Sequence, residues 1–110
     1  MVRWITSHAE YTEFRNPDFQ LRTAYFYVPG FNQIGETAVG ITISRKVGNA
    51  VRRNLLKRRI KAWIGDNITR LPDGFKLVIS ARNGAGELSW QALSDQLTTL
   101  VALLNKRTCT

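Results

Sequence analysis

Ser44-Arg45-Lys46-Val47-Gly48-Asn49-Ala50-Val51-Arg52-Arg53-Asn54-Leu55-Leu56-Lys57-Arg58-Arg59-Ile60-Lys61-Ala62-Trp63 carries eight of the chain's sixteen Lys and Arg residues and no acid. Glu36 and Asp66 are the nearest carboxylates on either side. Gly48-Asn49 punctuates the start, and a helical pattern runs from about Ala50 to Ile64. On a helical wheel Leu56, Ile60, Trp63 and Ile64 gather on one side. Arg53, Lys57 and Lys61 recur at i, i+4 and i+8, with Arg58 beside them. Such a helix docks its apolar stripe on a core and turns four cations outward. Like charges one turn apart cost about 0.2–0.5 kcal/mol per pair, and no acid offsets them here. A polyanionic partner is the expected source of neutralisation.

The rest of the composition agrees. One hundred and ten residues predict one domain, with enough chain to bury a modest core. Hydrophobic residues make up 44%, with three Trp, three Tyr and five Phe, which excludes a basic disordered tail. A net charge of +8 points to nucleic acid or an anionic membrane surface. No stretch approaches the roughly 20 apolar residues that span a bilayer, and Met1-Val2-Arg3-Trp4-Ile5-Thr6 is not a secretory signal. The one cysteine, Cys109, permits no internal disulfide, and a reducing, cytoplasmic location is expected.

Outward from the basic helix, Ser7 to Arg15 reads as a short first helix with Ser7 as N-cap, and Tyr11 and Phe14 share one of its faces. That pair either seats the helix on a sheet or faces a ligand. Thr23 to Val28 reads as a strand with Tyr25 and Tyr27 on one face, followed by a loop from Pro29-Gly30 through Gln33 to Glu36. Thr37 to Ser44 reads as a second strand, paired antiparallel with the first. Leu71 to Gly74 is a turn, Phe75 to Ala81 a nearly continuous apolar strand, and Arg82 to Gly86 a flexible loop. Ser89 caps a last helix whose stripe of Trp90, Leu93, Leu97, Leu100 and Leu104 is core, with Lys106 and Arg107 in its final turn. The order α-β-β-α-β-α gives a compact α+β, two-layer sandwich.

Self-sufficient catalysis is not expected. His8 is the sole histidine and reads as a surface residue, and Glu10 and Glu13 as a solvated pair. No Cys or His cluster fits zinc, and no Walker loop or dinucleotide-binding glycine run is present. Asn83-Gly84-Ala85-Gly86 reads as a plain turn rather than a phosphate cradle. These features describe a binding module without a small-molecule substrate, catalytic side chain or metal site of its own.

The central stretch resembles the signature of the bacterial ribonuclease P protein subunit, in which Ser-x-Lys-Val-Gly-Asn-Ala-Val leads into an Arg-Asn-Arg helix. Ser44-Arg45-Lys46-Val47-Gly48-Asn49-Ala50-Val51, Arg53-Asn54, Lys57-Arg58 and Lys61 carry the match. Leu71-Pro72-Asp73-Gly74-Phe75, Val78 to Arg82 and Gly84 to Ser89 extend it. Leu55 stands where the motif has its second arginine, with Arg52 one place before the motif, and Lys61-Ala62 replaces an Arg-Glu pair. The resemblance implies a fold of order α-β-β-(β)-α-β-α with a left-handed βαβ crossover, like the second domain of a small-subunit ribosomal protein. It also implies a catalytic RNA partner that uses RNA-held Mg²⁺ to remove the 5′ leader of precursor tRNA. Arg45, Lys46, Asn49, Arg52, Arg53, Asn54, Lys57, Arg58 and Lys61 would then contact that RNA, and Tyr11, Phe14, Tyr25 and Tyr27 the leader. A ribosomal or other structural RNA-binding protein is the alternative within this class. A DNA-binding helix-turn-helix is disfavoured by the strand-rich surroundings.

Overall fold

A computed structural model describes residues 2–32, 35, 37–71 and 74–108, with no side chain beyond Lys106. The loop residues Gln33, Ile34 and Glu36, the turn residues Pro72 and Asp73, Cys109 and the Arg107 side chain lie outside the described residues. The elements run β1 (Val2–Trp4), α1 (His8–Thr12), β2 (Phe19–Arg22), β3 (Phe26–Asn32), β4 (Thr37–Ile43), α2 (Ala50–Asp66), β5 (Phe75–Ala81) and α3 (Trp90–Thr108). They form one α+β unit around a five-stranded sheet of order β1-β4-β5-β3-β2.

The apolar strand β5 sits at the centre, parallel to β4 on one side and antiparallel to β3 on the other. Parallel neighbours need a crossover, and α2 supplies it between β4 and β5. Strand alternation divides the sheet. Phe75, Leu77, Ile79 and Ala81 of β5, with Val39 and Ile41 of β4 and Phe26 and Val28 of β3, join the core beneath α2 and α3. Leu56, Ile60, Trp63 and Ile64 are the buried residues of α2, as its periodicity predicts. Leu93, Leu97, Leu100 and Leu104 are buried on α3. Trp63 Nε1 donates to Ser94 Oγ at 2.9 Å, tying the two helices together. Asn49 caps α2 by accepting from the Arg52 amide, and Ser89 Oγ accepts from the Ala92 amide at the start of α3.

Several sequence expectations are corrected. Val2–Trp4 is an edge strand parallel to β4, where no strand is expected from sequence. The first helix is shorter than Ser7 to Arg15: α1 ends at Thr12, a 3₁₀ turn covers Glu13–Arg15, and Ser7 makes no side-chain cap bond. The strand at Thr23 to Val28 is displaced. Residues 23–25 turn the chain out of β2, and β3 continues through Pro29-Gly30, where a loop is expected. β3 and β4 are not a pair, because β5 lies between them. Trp90 leaves the α3 stripe and is 45% exposed, since it opens the helix where no element covers it. Arg82 to Gly86 forms a turn that leads into a 3₁₀ element: Ala85 is buried, and Gly84 takes a left-handed φ of +94° that favours glycine.

Gly30 is kept in the strand by close approach. It pairs across the ladder with Phe19, and a Cβ on it would lie 2.4 Å from that ring's Cζ. The Phe19 ring is buried and stacks edge-on against Phe75 at 5.8 Å, so it has nowhere to retreat. Gly30→Ala is therefore expected to cost about 1–3 kcal/mol of stability. A lowered denaturation midpoint checks this; an unchanged midpoint would show that the ring is free to move.

Candidate nucleic-acid interface

Two surfaces carry the residues singled out by sequence. The first is the outer side of α2 with its lead-in turn. Arg45 and Lys46 sit exposed in a 3₁₀ turn, and Asn54, Lys57 and Arg58 are exposed on the helix. Val51, Asn54, Lys57, Arg58 and Lys61 line one open concavity. The solvent face includes apolar residues among the cations, with Val51 76% exposed and Leu55 38%. Among the described residues no carboxylate pairs with Arg53, Lys57, Arg58 or Lys61; Arg52 approaches Glu87 at 4.0 Å, both well exposed. The row of cations is brought together and left unneutralised.

Three of these residues do more than face outward. Arg53 is half-buried with its Nε enclosed, because Ile60 and Ile64 follow it by two and three turns, within the apolar stripe. Asn49 spends its side-chain oxygen on the helix cap. Lys61 is half-buried, with Nζ 5.2 Å from the ring centroid of Trp4 on β1.

The second surface is the sheet face opposite α2 and α3, where α1 lies across the strands. Tyr11, Phe14, Tyr27, Pro29, Val78 and Ser80 line a groove of about 330 Å³ between α1 and the sheet. Tyr11 seats the helix there. Its hydroxyl donates to the Ile5 carbonyl at 2.9 Å and accepts from the Ile41 amide at 3.3 Å, closing the end of the β1–β4 ladder. A Cβ on Gly40 would lie 2.9 Å from the Tyr11 ring, so glycine makes room for it. Phe14 packs against Phe31, ring centroids 5.1 Å apart. The seating role of the Tyr11–Phe14 face is what the contacts show: the aromatics anchor α1, and in doing so they wall the groove.

Tyr25 is not part of this groove. It precedes β3, its carbonyl accepts from the Arg82 amide at 2.8 Å, and its ring packs on Gly84. The strand shift at residues 23–25 separates it from Tyr27. Arg22, stacked 5.0 Å over Tyr27, and Arg82 were not singled out by sequence; they flank Tyr27 at the groove's end. Only the strand register brings Arg22 opposite Tyr27, so no local pattern announces it. Next to the groove a smaller pocket of about 260 Å³, sharing Tyr11 and Thr42 with it, is lined by Lys57 and Lys61. The aromatic groove and the basic helix therefore adjoin.

Glu10 and Glu13 are not a solvated pair, as expected from sequence. Glu10 receives both guanidinium nitrogens of Arg3 at 2.9 Å and Lys76 Nζ at 3.1 Å, and Glu13 lies 2.6 Å from the same ammonium. Hydrogen bonding from Arg3, then from Lys76, lowers the Glu10 pKa from 4.5 to about 2. Hydrogen bonding to Glu13, ahead of that to Glu10, raises the Lys76 pKa. The network staples α1 to β1 and β5. It also occupies the neighbouring carboxylates with cations, and among the described residues no three His, Cys, Asp or Glu side chains gather. No helix among the described residues is long and apolar enough to cross a membrane.

Comparison with known proteins bears on this arrangement. The family model described as Ribonuclease P matches residues 3–105. The ribonuclease P protein component of Geotalea uraniireducens is 33% identical over 103 residues, covering 93% of this chain and 90% of the relative. The ribonuclease P proteins of Staphylococcus aureus and Thermotoga maritima share the fold. Their TM-scores are 0.82 and 0.81 at 22% and 24% identity, covering 91% and 90% of this chain and 93% and 94% of theirs.

Three outcomes follow from these side chains. The folded Glu10 pKa lies below its unfolded value, so its contribution to stability is complete above about pH 4.5 and fades as pH falls towards 2. Thermal melts of Glu10→Gln should accordingly show a flatter loss of stability between pH 5 and pH 2 than the parent chain; parallel curves would contradict the network. Lys57→Ala is expected to weaken RNA binding without lowering the melting temperature, and to reduce the salt slope of log K by about 0.7–0.9. Arg53→Ala, in contrast, should lower both affinity and stability, because the Arg53 stem is packed.

Proposed function

This chain belongs to the ribonuclease P protein family, and we propose that it is the subunit that presents the leader of precursor tRNA to a catalytic RNA. Family membership makes it a component of a ribonucleoprotein endonuclease of tRNA processing, with RNA as its partner. In the proposed division of labour, Arg45, Lys46, Asn49, Arg52, Arg53, Asn54, Lys57, Arg58 and Lys61 contact the catalytic RNA. Phosphate neutralisation by this surface would be strongly salt-dependent. Leu55, in place of a cation, makes the surface less charged and lets an apolar side chain meet a sugar or base edge.

The groove walled by Tyr11, Phe14 and Tyr27 would take the single-stranded 5′ leader. Base stacking on aromatic rings contributes about 1–3 kcal/mol per base and tolerates any sequence, as one protein serving many leaders requires. Tyr25 is withdrawn from this role because its ring packs on Gly84. The Mg²⁺ ions of the reaction would be held by RNA, in keeping with carboxylates already committed to Arg3 and Lys76. A cytoplasmic location follows from the RNA partner.

The observation that carries the reading is adjacency: the aromatic groove and the pocket of Lys57 and Lys61 share Tyr11 and Thr42. One continuous surface can grip a folded RNA and a single strand together. Reconstitution tests it. The purified chain with its cognate RNA should cleave precursor tRNA at low Mg²⁺ better than the RNA alone, and affinity should fall when the leader is shortened. Tyr27→Ala should weaken precursor more than mature tRNA. No stimulation, or equal losses for both tRNAs, would refute it.

A further inference from the structure

Across the open face of the sheet, the register aligns one residue from each of four strands. Thr42 of β4 lies opposite Ser80 of β5, Ser80 opposite Tyr27 of β3, and Tyr27 opposite Arg22 of β2. The row runs at right angles to the strands along the groove floor, from beside Lys57 to Arg22 stacked on Tyr27. Thr42 Oγ1 and Ser80 Oγ are 2.9 Å apart and solvent-accessible. We propose that Thr42 and Ser80 form a ribose-reading pair, which binds a 2′-hydroxyl of the strand in the groove and distinguishes RNA from DNA there. This rests on the reading of the groove as the leader site.

Hydrogen-bond inventory selects the ligand. Two hydroxyls hold two donors and four acceptor positions, and their mutual bond uses one of each. One donor and three acceptors remain, side by side. A phosphate oxygen, which only accepts, matches the donor alone. A 2′-hydroxyl both donates and accepts, so it can satisfy both kinds of group at once. A cross-strand Thr–Ser bond by itself also stabilises a sheet. What marks this pair out is its place beside Tyr27: a base stacked on that ring puts its sugar over the neighbouring strand, about 4.8 Å away. The aromatic groove alone is indifferent to the sugar, because every base has a stacking face. The hydroxyl pair supplies the missing discrimination.

The test uses the reconstituted holoenzyme and measures affinity for precursor tRNA carrying either a ribose or a 2′-deoxyribose leader. The parent protein is expected to bind the ribose leader about fivefold more tightly, the range of one or two net hydrogen bonds. The double variant Thr42→Val, Ser80→Ala should bind both leaders equally, at the parent's affinity for the deoxy leader. Thr42→Ser, which keeps the hydroxyl, should retain the preference, so a folding defect is separable from loss of recognition. The inference is overturned if the parent does not discriminate, or if the double variant still does. Leaderless tRNA separates the two readings. If removing the leader weakens binding but its sugar is immaterial, only the ribose pair fails; if removing the leader changes nothing, the groove assignment fails with it.

Discussion

Everything in this fold depends on the docking of one side of α2 onto the sheet. Because β4 and β5 are parallel neighbours, the chain must travel the length of the sheet between them, and α2 is the segment that does so. Burial of Leu56, Ile60, Trp63 and Ile64 holds the helix in place, each such side chain contributing about 1.5–3 kcal/mol. That is several times the repulsion among neighbouring cations. The sheet can therefore display a concentration of positive charge that an isolated helix would not sustain. Structure and charge are coupled in a single element, and Arg53, lodged at the seam between stripe and surface, belongs to both.

The same alternation that builds the core builds the groove. Along β5 the residues Phe75, Leu77, Ile79 and Ala81 turn to the helices, while Lys76, Val78 and Ser80 turn to α1 and the open face. A slip of one residue would exchange the two sets, so the groove floor is held in register by the core beneath it. Small residues are part of this arrangement. Gly30 admits the Phe19 ring on the core side, and Gly40 admits Tyr11 on the other.

Much of this was legible from periodicity, and the reasons for the failures are physical. The buried stripe of α2, the central strand β5 and the Ser89 cap follow from patterns contained within each segment. β1 is three residues long and exists because β4 offers it an edge, which no local pattern records. Pro29-Gly30 reads as a loop, yet lies in a strand, and its glycine answers to the Phe19 ring that closes over it rather than to a turn. The antiparallel pairing expected of β3 and β4 fails because a strand from much later in the chain inserts between them. The gathering of cations on α2 was readable, and so was the placing of Tyr11 and Phe14 on one face of the first helix. The separation of Tyr25 from Tyr27 was not, since β3 starts only at Phe26 and leaves Tyr25 outside the strand. Arg22 and Arg82 became visible only through register, and the pairing of Glu10 and Glu13 only through the arrival of Arg3 and Lys76 from other strands.

The hydroxyl of Tyr11 reaches the backbone of both the segment following β1 and β4. The wall of the groove and the margin of the sheet are thus one mechanical piece, and loosening either frees backbone groups of the other. Occupancy of the groove should be felt within β4 as slower exchange of the Ile41 amide with solvent, because its acceptor is the hydroxyl of the groove's own wall.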